Sequence, residues 1–253
     1  MNFKLILLGL LISVSGFGAE TESHYTELFE QANAAYKIGQ YDSAKAIYAE
    51  ISETGIVSSS LFYNLGNCYF KTGSVANAIL NYERALRLSP DDEDVIYNLE
   101  IANSRITDKV DVVEPFFITQ WWQNAALSLH PDSWAWISLF FILSLVAVLS
   151  LFILGRESSH KKLGFLGSIV MLILLGMSYS FGSTALNWKN RKEAIIFAPT
   201  VNVKSEPTNK STDQFVLHEG VKVIVLAQDA DWLRIRLSDG NSGWVPRQST
   251  ETI

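Results

Sequence analysis

The 253-residue sequence predicts a multidomain membrane protein, in which an all-α repeat domain and a small C-terminal all-β barrel flank two transmembrane helices. Three observations predict this class. A pattern with a period of about 34 residues occurs twice near the N-terminus. Two long stretches without charged residues occupy the middle of the chain. Short alternating runs separated by turn residues occupy its end.

The transmembrane helices are predicted at residues 134–154 and 163–186, which contain no Asp, Glu, Lys or Arg. About 20 apolar residues in a helix cross the hydrocarbon core of a bilayer. The connecting loop, residues 155–162, carries three basic residues and one acidic residue, which predicts a cytoplasmic loop. Three basic residues at 189–192 favour the opposite orientation. A buried hairpin of a soluble protein is the alternative interpretation of the two stretches.

A signal peptide is predicted over residues 1–19. Lys4 gives a basic start, an apolar run follows from Leu5 to Leu11, and small residues lie near Ala19. An uncleaved anchor is the alternative, and it gives the same topology. Together with the basic loop, this segment predicts a two-pass protein of the bacterial inner (cytoplasmic) membrane, with both large domains in the periplasm.

Residues 115–131 are predicted to form an amphipathic segment in the headgroup region, in contact with membrane lipid. Phe117, Trp121 and Trp122 supply its apolar side, and further tryptophans at 134, 136 and 188 complete an aromatic belt. A binding site for a protein partner is the alternative use of these aromatic residues.

Charge and residue counts exclude several classes of function. Residues 20–133 carry a net charge of −10 and residues 187–253 a net charge of +1, with no basic stripe, which argues against nucleic acid as a partner. A single cysteine, Cys68, excludes an internal disulfide framework and a Cys-rich metal site. No nucleophile–base pair, phosphate loop or metal cluster is recognisable, so no enzyme, cofactor or metal is expected.

The all-α domain is predicted at residues 25–110, with repeats at 25–58 and 59–92 and a capping helix at 93–109. Gly39 and Gly73 are one period apart, and Tyr48 and Tyr82 have the same separation. The second copy also contains Leu65-Gly66, Tyr69, Ala78, Ala85 and Pro90. These positions resemble the tetratricopeptide repeat, in which small residues let two antiparallel helices approach closely.

The resemblance implies a concave face that binds an extended peptide or a partner helix. Asn33 and Asn64 match two asparagines of the carboxylate-clamp subfamily. However, Phe29, Asp94 and Asn98 replace the basic residues of the clamp, which argues against recognition of a free C-terminal carboxylate. The alternative is that the side chains on this face are simply solvated. The candidate partner-binding residues are Phe29, Asn33, Tyr36, Lys37, Tyr63, Asn64, Asn67, Phe70 and Lys71.

The C-terminal barrel is predicted at residues 194–248, with strands at 194–197, 201–204, 214–217, 222–227, 232–237 and 243–245. Turns are expected at residues 229–231 and 239–241. The runs Leu217–Val223, Asp231–Arg236 and Asp239–Val245 resemble a bacterial SH3 domain in order and spacing. The resemblance allows a peptide-binding cleft at Trp232 and Trp244, and packing of these two side chains is the alternative.

The order of these modules, together with the run Phe215–Val223, resembles the BatE-type proteins of the Bacteroides aerotolerance operon. That resemblance implies a role in oxygen or stress tolerance. It also implies partners among envelope proteins: von Willebrand factor A-domain membrane proteins and, indirectly, a MoxR-type AAA+ ATPase.

Two functions are therefore compared. The first is a membrane-anchored protein–protein interaction scaffold of the cell envelope. The alternative is a cell-wall tether that binds peptidoglycan peptides through the SH3-like domain.

Overall fold

A computed structural model describes residues 24–109 and 116–253, which form two compact units. The first unit contains residues 24–109 and 192–253, and the second contains residues 116–191. The predicted signal peptide at 1–19 and the junction at 110–115 lie outside the described residues.

Five helices form the N-terminal part of the first unit. Gly39 and Gly73 adopt φ values of +80° and +83° between paired helices, which is the left-handed conformation that glycine reaches without strain. The Ser58 side chain accepts a hydrogen bond from the Leu61 amide and caps the third helix. The helices are α1 (24–37), α2 (Tyr41–Glu53), α3 (Ser59–Lys71), α4 (Val75–Leu88) and α5 (Glu93–Asn103).

The repeats pack as the small residues predict. A Cβ atom on Gly66 would lie 2.7 Å from the ring of Tyr82, so α3 and α4 approach closely only because residue 66 is glycine. Ala32, Ala44 and Ala78 are fully buried. The predicted close antiparallel packing of each helix pair is therefore confirmed.

The predicted capping helix at 93–109 is wrong at its C-terminal end, because α5 ends at Asn103. Residues 104–109 leave the helix and run along the C-terminal sheet. Asp108 there accepts a hydrogen bond from the backbone amide of His218, at 2.6 Å, and lies 2.8 Å from the His218 Nδ1 atom. Ile106 packs beside Gly220. A continued helix could not place both side chains against the sheet.

The C-terminal part of the first unit is a seven-stranded antiparallel sheet. The predicted turn at 239–241 is confirmed, since Gly240 has a φ of +94° between two paired strands. Six strands were expected, and a seventh at Thr250–Thr252 pairs with the first beyond the predicted end at 248. The strands are β1 (Glu193–Ile196), β2 (Thr200–Lys204), β3 (Asp213–His218), β4 (Lys222–Asp229), β5 (Trp232–Arg236), β6 (Ser242–Pro246) and β7 (Thr250–Thr252), in the order β3-β2-β6-β5-β4-β1-β7.

Strand β1 belongs to two cores at once. Ala194 and Ile196 point into the core of the sheet, which also contains Val203 and Ile235. Ile195 points the other way, into the core of the repeat helices. Ala194, Ile195 and Ile196 are each fully buried, as expected for a strand with both faces covered. The repeats and the sheet are therefore one packed body.

Ion pairs and hydrogen bonds surround this apolar contact between α4 and the sheet. The Lys222 Nζ atom lies 2.7 Å from Glu83 Oε2 and 3.1 Å from Glu193 Oε2. The Arg84 Nη2 atom donates to the Thr252 carbonyl at 2.9 Å, and the Arg87 Nη1 atom donates to the Ile253 carbonyl at 2.7 Å. The buried carboxylate of Glu83 is thus paired, and the two arginines fix the chain end beside α4.

The second unit contains three helices: α6 (Phe117–Leu127), α7 (Pro131–Leu154) and α8 (Ser158–Lys189). Both α7 and α8 are long enough and apolar enough to cross a membrane. The predicted loop at 155–162 is wrong in extent, because α8 begins at Ser158 and its first turns use residues expected in the loop. Only residues 155–157 connect the two helices, and they therefore run antiparallel.

Small residues of α8 allow close contact with α7. A Cβ atom on Gly164 would lie 2.6 Å from the Phe152 backbone nitrogen, and Ser168, one turn further, is buried. The Ser178 and Ser138 hydroxyls lie 2.9 Å apart. The spacing from Gly164 to Ser168 thus marks the contact face of α8.

Helix α6, within the predicted interfacial segment, packs against α7 and α8 on one side only. The Trp122 ring lies 4.5 Å from the Phe181 ring, and the Trp134 indole donates to the Ala126 carbonyl at 2.9 Å. Phe117 and Trp121 remain 67% and 58% exposed. The aromatic residues of this segment therefore divide between internal packing and an exposed apolar side.

Replacing Ile195 with Ala should destabilise the first unit by about 2–5 kcal/mol, because it opens a cavity in the core of the repeat helices. Amide hydrogen exchange of the full chain in detergent measures this, and exchange in α4 and α5 should become faster. Val216→Ala, at a 46% exposed position of β3, is the control and should change little. Unchanged exchange in α4 and α5 of the Ile195 variant contradicts the shared core.

Candidate functional site

The first helices of the repeats carry a row of asparagine side chains that are spaced by the repeat period of the sequence, and we call this row the amide ladder. The Tyr48 hydroxyl donates to Asn33 Oδ1 at 2.6 Å, and one repeat later the Tyr82 hydroxyl donates to Asn67 Oδ1 at 2.7 Å. Each bond joins the second helix of a repeat to the first helix of the same repeat. The tyrosines thereby fix the orientation of both asparagine side chains.

The same asparagines link neighbouring repeats. The Asn64 Nδ2 atom donates to Asn33 Oδ1 at 3.4 Å, and the Asn98 Nδ2 atom donates to Asn67 Oδ1 at 3.3 Å. The Nδ2 atoms of Asn33 and Asn67 donate to no residue in the described ranges. Both side chains are half-buried, and neither Nδ2 atom is among the fully buried unpaired polar atoms of the described residues, so their N–H groups can donate to a ligand.

Aromatic side chains repeat beside the ladder. Phe29 packs edge-on against Tyr48 at 5.5 Å, and Tyr63, one repeat later, lies 6.2 Å from the Tyr82 ring. Tyr97 is 64% exposed one further repeat along the chain. Tyr36 contacts Tyr41 at 5.1 Å. The asparagines of the ladder define one surface of α1, α3 and α5 together with Phe29, Tyr36, Tyr63 and Tyr97, and we call this surface the repeat face.

The structure brings all nine candidate residues of the repeats onto the first helices of two copies, with Asn33 hydrogen-bonded to Asn64. The structure adds further residues to this surface. They were predicted only as part of the capping helix or as a departure from the carboxylate clamp. Tyr97, Asn98 and Arg105 lie one full period after Tyr63, Asn64 and Lys71. Helix α5 therefore packs after the second repeat where the first helix of a further copy would lie. Extending the period by one more repeat would have found them.

Burial keeps the hydroxyl and thiol groups behind the repeat face neutral. Burial raises the pKa values of Tyr48 and Tyr82, so both hydroxyls remain hydrogen-bond donors to the ladder even in alkaline solution. Burial also raises the pKa of the Cys68 thiol to about 11, against a smaller opposing effect of Lys45. Cys68 is fully buried, as expected for a packing residue rather than a nucleophile.

The C-terminal sheet presents a second candidate surface. Trp232 pairs with Pro246 across β5 and β6, and Arg234 pairs with Trp244, so all four side chains lie on one face. This face is opposite to the buried Leu233 and Val245. Both tryptophans are half-buried rather than enclosed in the core. We call these four residues the tryptophan face.

Comparison with known families identifies both modules of the first unit. Residues 199–251 match the bacterial SH3 domain, and residues 28–54 and 59–92 each match a tetratricopeptide repeat. No curated protein matches the chain. The chain thus combines tetratricopeptide repeats, a bacterial SH3 domain and two helices able to cross a membrane. These two modules are typically non-catalytic, and they support a role in protein interaction or cell-wall binding. Within the described ranges, no group of His, Cys, Asp and Glu could hold a metal ion.

Cys68 should remain unreactive toward a disulfide reagent in the native chain at pH 8 to 9, because its thiol is fully buried and its pKa, raised by burial to about 11, keeps it protonated there. The reaction is followed by absorbance in detergent solution. A cysteine introduced in Ser60→Cys, on the exposed side of α3, is the control and should react at pH 8 to 9. Equal rates for the two thiols contradict the packing of α3 against its neighbours.

Proposed function

We propose that this protein is a membrane-anchored scaffold of the bacterial cell envelope, in which the repeat face holds an extended segment of a partner protein. The observation that carries the proposal is the amide ladder. It leaves the half-buried side-chain N–H groups of Asn33 and Asn67, one repeat apart, without a protein acceptor in the described ranges. An extended peptide presents backbone carbonyl groups at regular intervals, which such donors recognise.

The second unit supports the membrane anchor. Helix α7 has no buried residue over its 24 positions, and Phe140, Leu143 and Val146 are each more than half exposed. Exposing such a surface to water is unfavourable, whereas lipid acyl chains cover it without cost to the helical backbone. We infer that α7 and α8 cross the membrane as a hairpin.

The first unit supports a topology with both modules on one side of the membrane. Its repeats and its sheet share the Ile195 core and the Lys222–Glu83 ion pair, so they occupy the same compartment. Two membrane crossings between them satisfy this requirement. The basic residues around 156–162 favour a cytoplasmic connection, which would place the first unit in the periplasm.

The module order supports a more specific proposal by resemblance to the BatE-type proteins. On that proposal the partners are envelope proteins, among them von Willebrand factor A-domain membrane proteins, with a MoxR-type AAA+ ATPase as an indirect partner. The complex would serve oxygen or stress tolerance.

A second candidate function is cell-wall binding through the tryptophan face. Half-buried Trp232 and Trp244 flank Arg234 on an outward surface, and aromatic rings beside a cation suit the peptide and carboxylate groups of a wall fragment.

Photo-cross-linking in native membranes tests the scaffold. A benzophenone amino acid at Tyr97, on the exposed repeat face, should form adducts with an envelope protein. The same probe at Glu50, exposed on α2, is the matched control and should not form those adducts. Adducts that are identical at both positions, or none at Tyr97, contradict the scaffold.

The same benzophenone amino acid placed at Arg234 tests cell-wall binding through the tryptophan face. Adducts with peptidoglycan peptides that disappear in a Trp244→Ala variant would favour the wall tether. Their absence, with protein adducts retained at Tyr97, removes the wall tether and leaves the scaffold.

A further inference from the structure

Three basic residues occupy the same position in the two repeats and in the segment that follows them. Lys37, Lys71 and Arg105 follow one another at intervals of one full repeat, at the C-terminal ends of α1 and α3 and in the turn after α5. All three are exposed. We call them the basic row.

The basic row borders the amide ladder. Lys71 lies four residues after Asn67 and seven after Asn64, which places the three side chains on one side of α3. The Arg105 guanidinium lies 5.7 Å from the centre of the Phe70 ring, so the third cation reaches back to the preceding repeat. The row therefore extends the repeat face along one edge.

The charges of the row are not neutralised by ion pairs inside the described part of the molecule. Lys37, Lys71 and Arg105 form no ion pair with any residue in the ranges 24–109 and 116–253. In contrast, Lys45 pairs with Asp42 at 2.6 Å, and Arg84 lies 3.7 Å from Glu251.

The surrounding domain makes this row distinctive. Residues 24–109 contain 12 acidic and 7 basic residues, a net charge of −5, so three aligned cations on one edge are not a consequence of overall charge. Three cations in an acidic domain also do not form the continuous positive surface that nucleic acid requires.

We propose that the basic row selects partner segments that are acidic and extended. Carboxylate groups of the segment pair with Lys37, Lys71 and Arg105, while its backbone carbonyls accept from the free N–H groups of Asn33 and Asn67. This inference rests on the proposed scaffold function and specifies the chemistry of its partner. These carboxylates belong to side chains within the segment and not to its C-terminus. The positions that hold basic residues in a carboxylate clamp are occupied here by Phe29, Asp94 and Asn98, which do not pair with a terminal carboxylate.

Fluorescence anisotropy with the purified full chain in non-ionic detergent tests this selection. The probe is a blocked twelve-residue peptide of alternating Glu and Ala, compared with the same peptide carrying Gln in place of Glu. The Glu peptide should bind at least tenfold more tightly, and its affinity should fall as salt rises from 50 to 300 mM.

Single variants locate the site. Lys37→Ala, Lys71→Ala and Arg105→Ala should each weaken binding of the Glu peptide by about threefold to tenfold. Lys109→Ala removes an exposed lysine outside the row and is the matched control, for which affinity should not change.

Equal binding of the Glu and Gln peptides overturns the proposal, as does an equal loss in the Lys109 variant. Equally tight binding of a twelve-residue oligothymidylate, lost in the same variants, also overturns it, because the row would then recognise anions in general. If these results appear while Tyr97 still cross-links to an envelope protein, acidic selection fails and the scaffold stands. If the Tyr97 adducts are absent as well, the proposed function fails too.

Discussion

The first unit depends on the burial of one strand between two cores. Ile79 and Val95 of the repeat helices belong to one apolar cluster with Ile195 of β1. Without the strand, that flank of the repeats would be exposed to water, and repeat arrays need a cap at such a flank. Strand β1 covers that flank with Ile195 while Ala194 and Ile196 complete the core of the sheet. Successive side chains of a strand point to opposite faces, so three consecutive residues of β1 can contribute to both cores. The SH3-like sheet thus serves as a structural cap of the repeats in addition to any ligand that it binds.

This arrangement determines which surfaces remain available. The contact uses β1, residues 250–253, the flank of α4 and the segment 104–109, and it includes no residue of the ladder and neither tryptophan of the tryptophan face. The hydrogen bonds of Tyr48 and Tyr82 hold the ladder asparagines in fixed orientations, which lowers the entropic cost of binding an extended segment. A single rigid body can therefore present two separate surfaces, as a scaffold requires.

Local features of the structure could be predicted from the sequence, whereas contacts between distant segments could not. The glycine turns at 39 and 73, the six predicted strands and the small residues between helices all follow from short-range patterns. The short strand at Thr250–Thr252 has no alternating apolar pattern and forms only because β1 is beside it. The Lys222–Glu83 pair joins residues 139 positions apart, and no local signal predicts it. The candidate residues of the repeat face were found through their spacing, but their mutual hydrogen bonds became visible only in three dimensions.

Pulsed electron paramagnetic resonance tests the single-body arrangement most directly. Spin labels are attached to cysteines introduced in Ala46→Cys on α2 and Asn241→Cys in the turn before β6, both exposed. Cys68 is retained because its thiol is inaccessible. A packed first unit predicts one narrow distance distribution between the labels in the full chain. A broad distribution, as expected for two modules joined only through the chain, would contradict it.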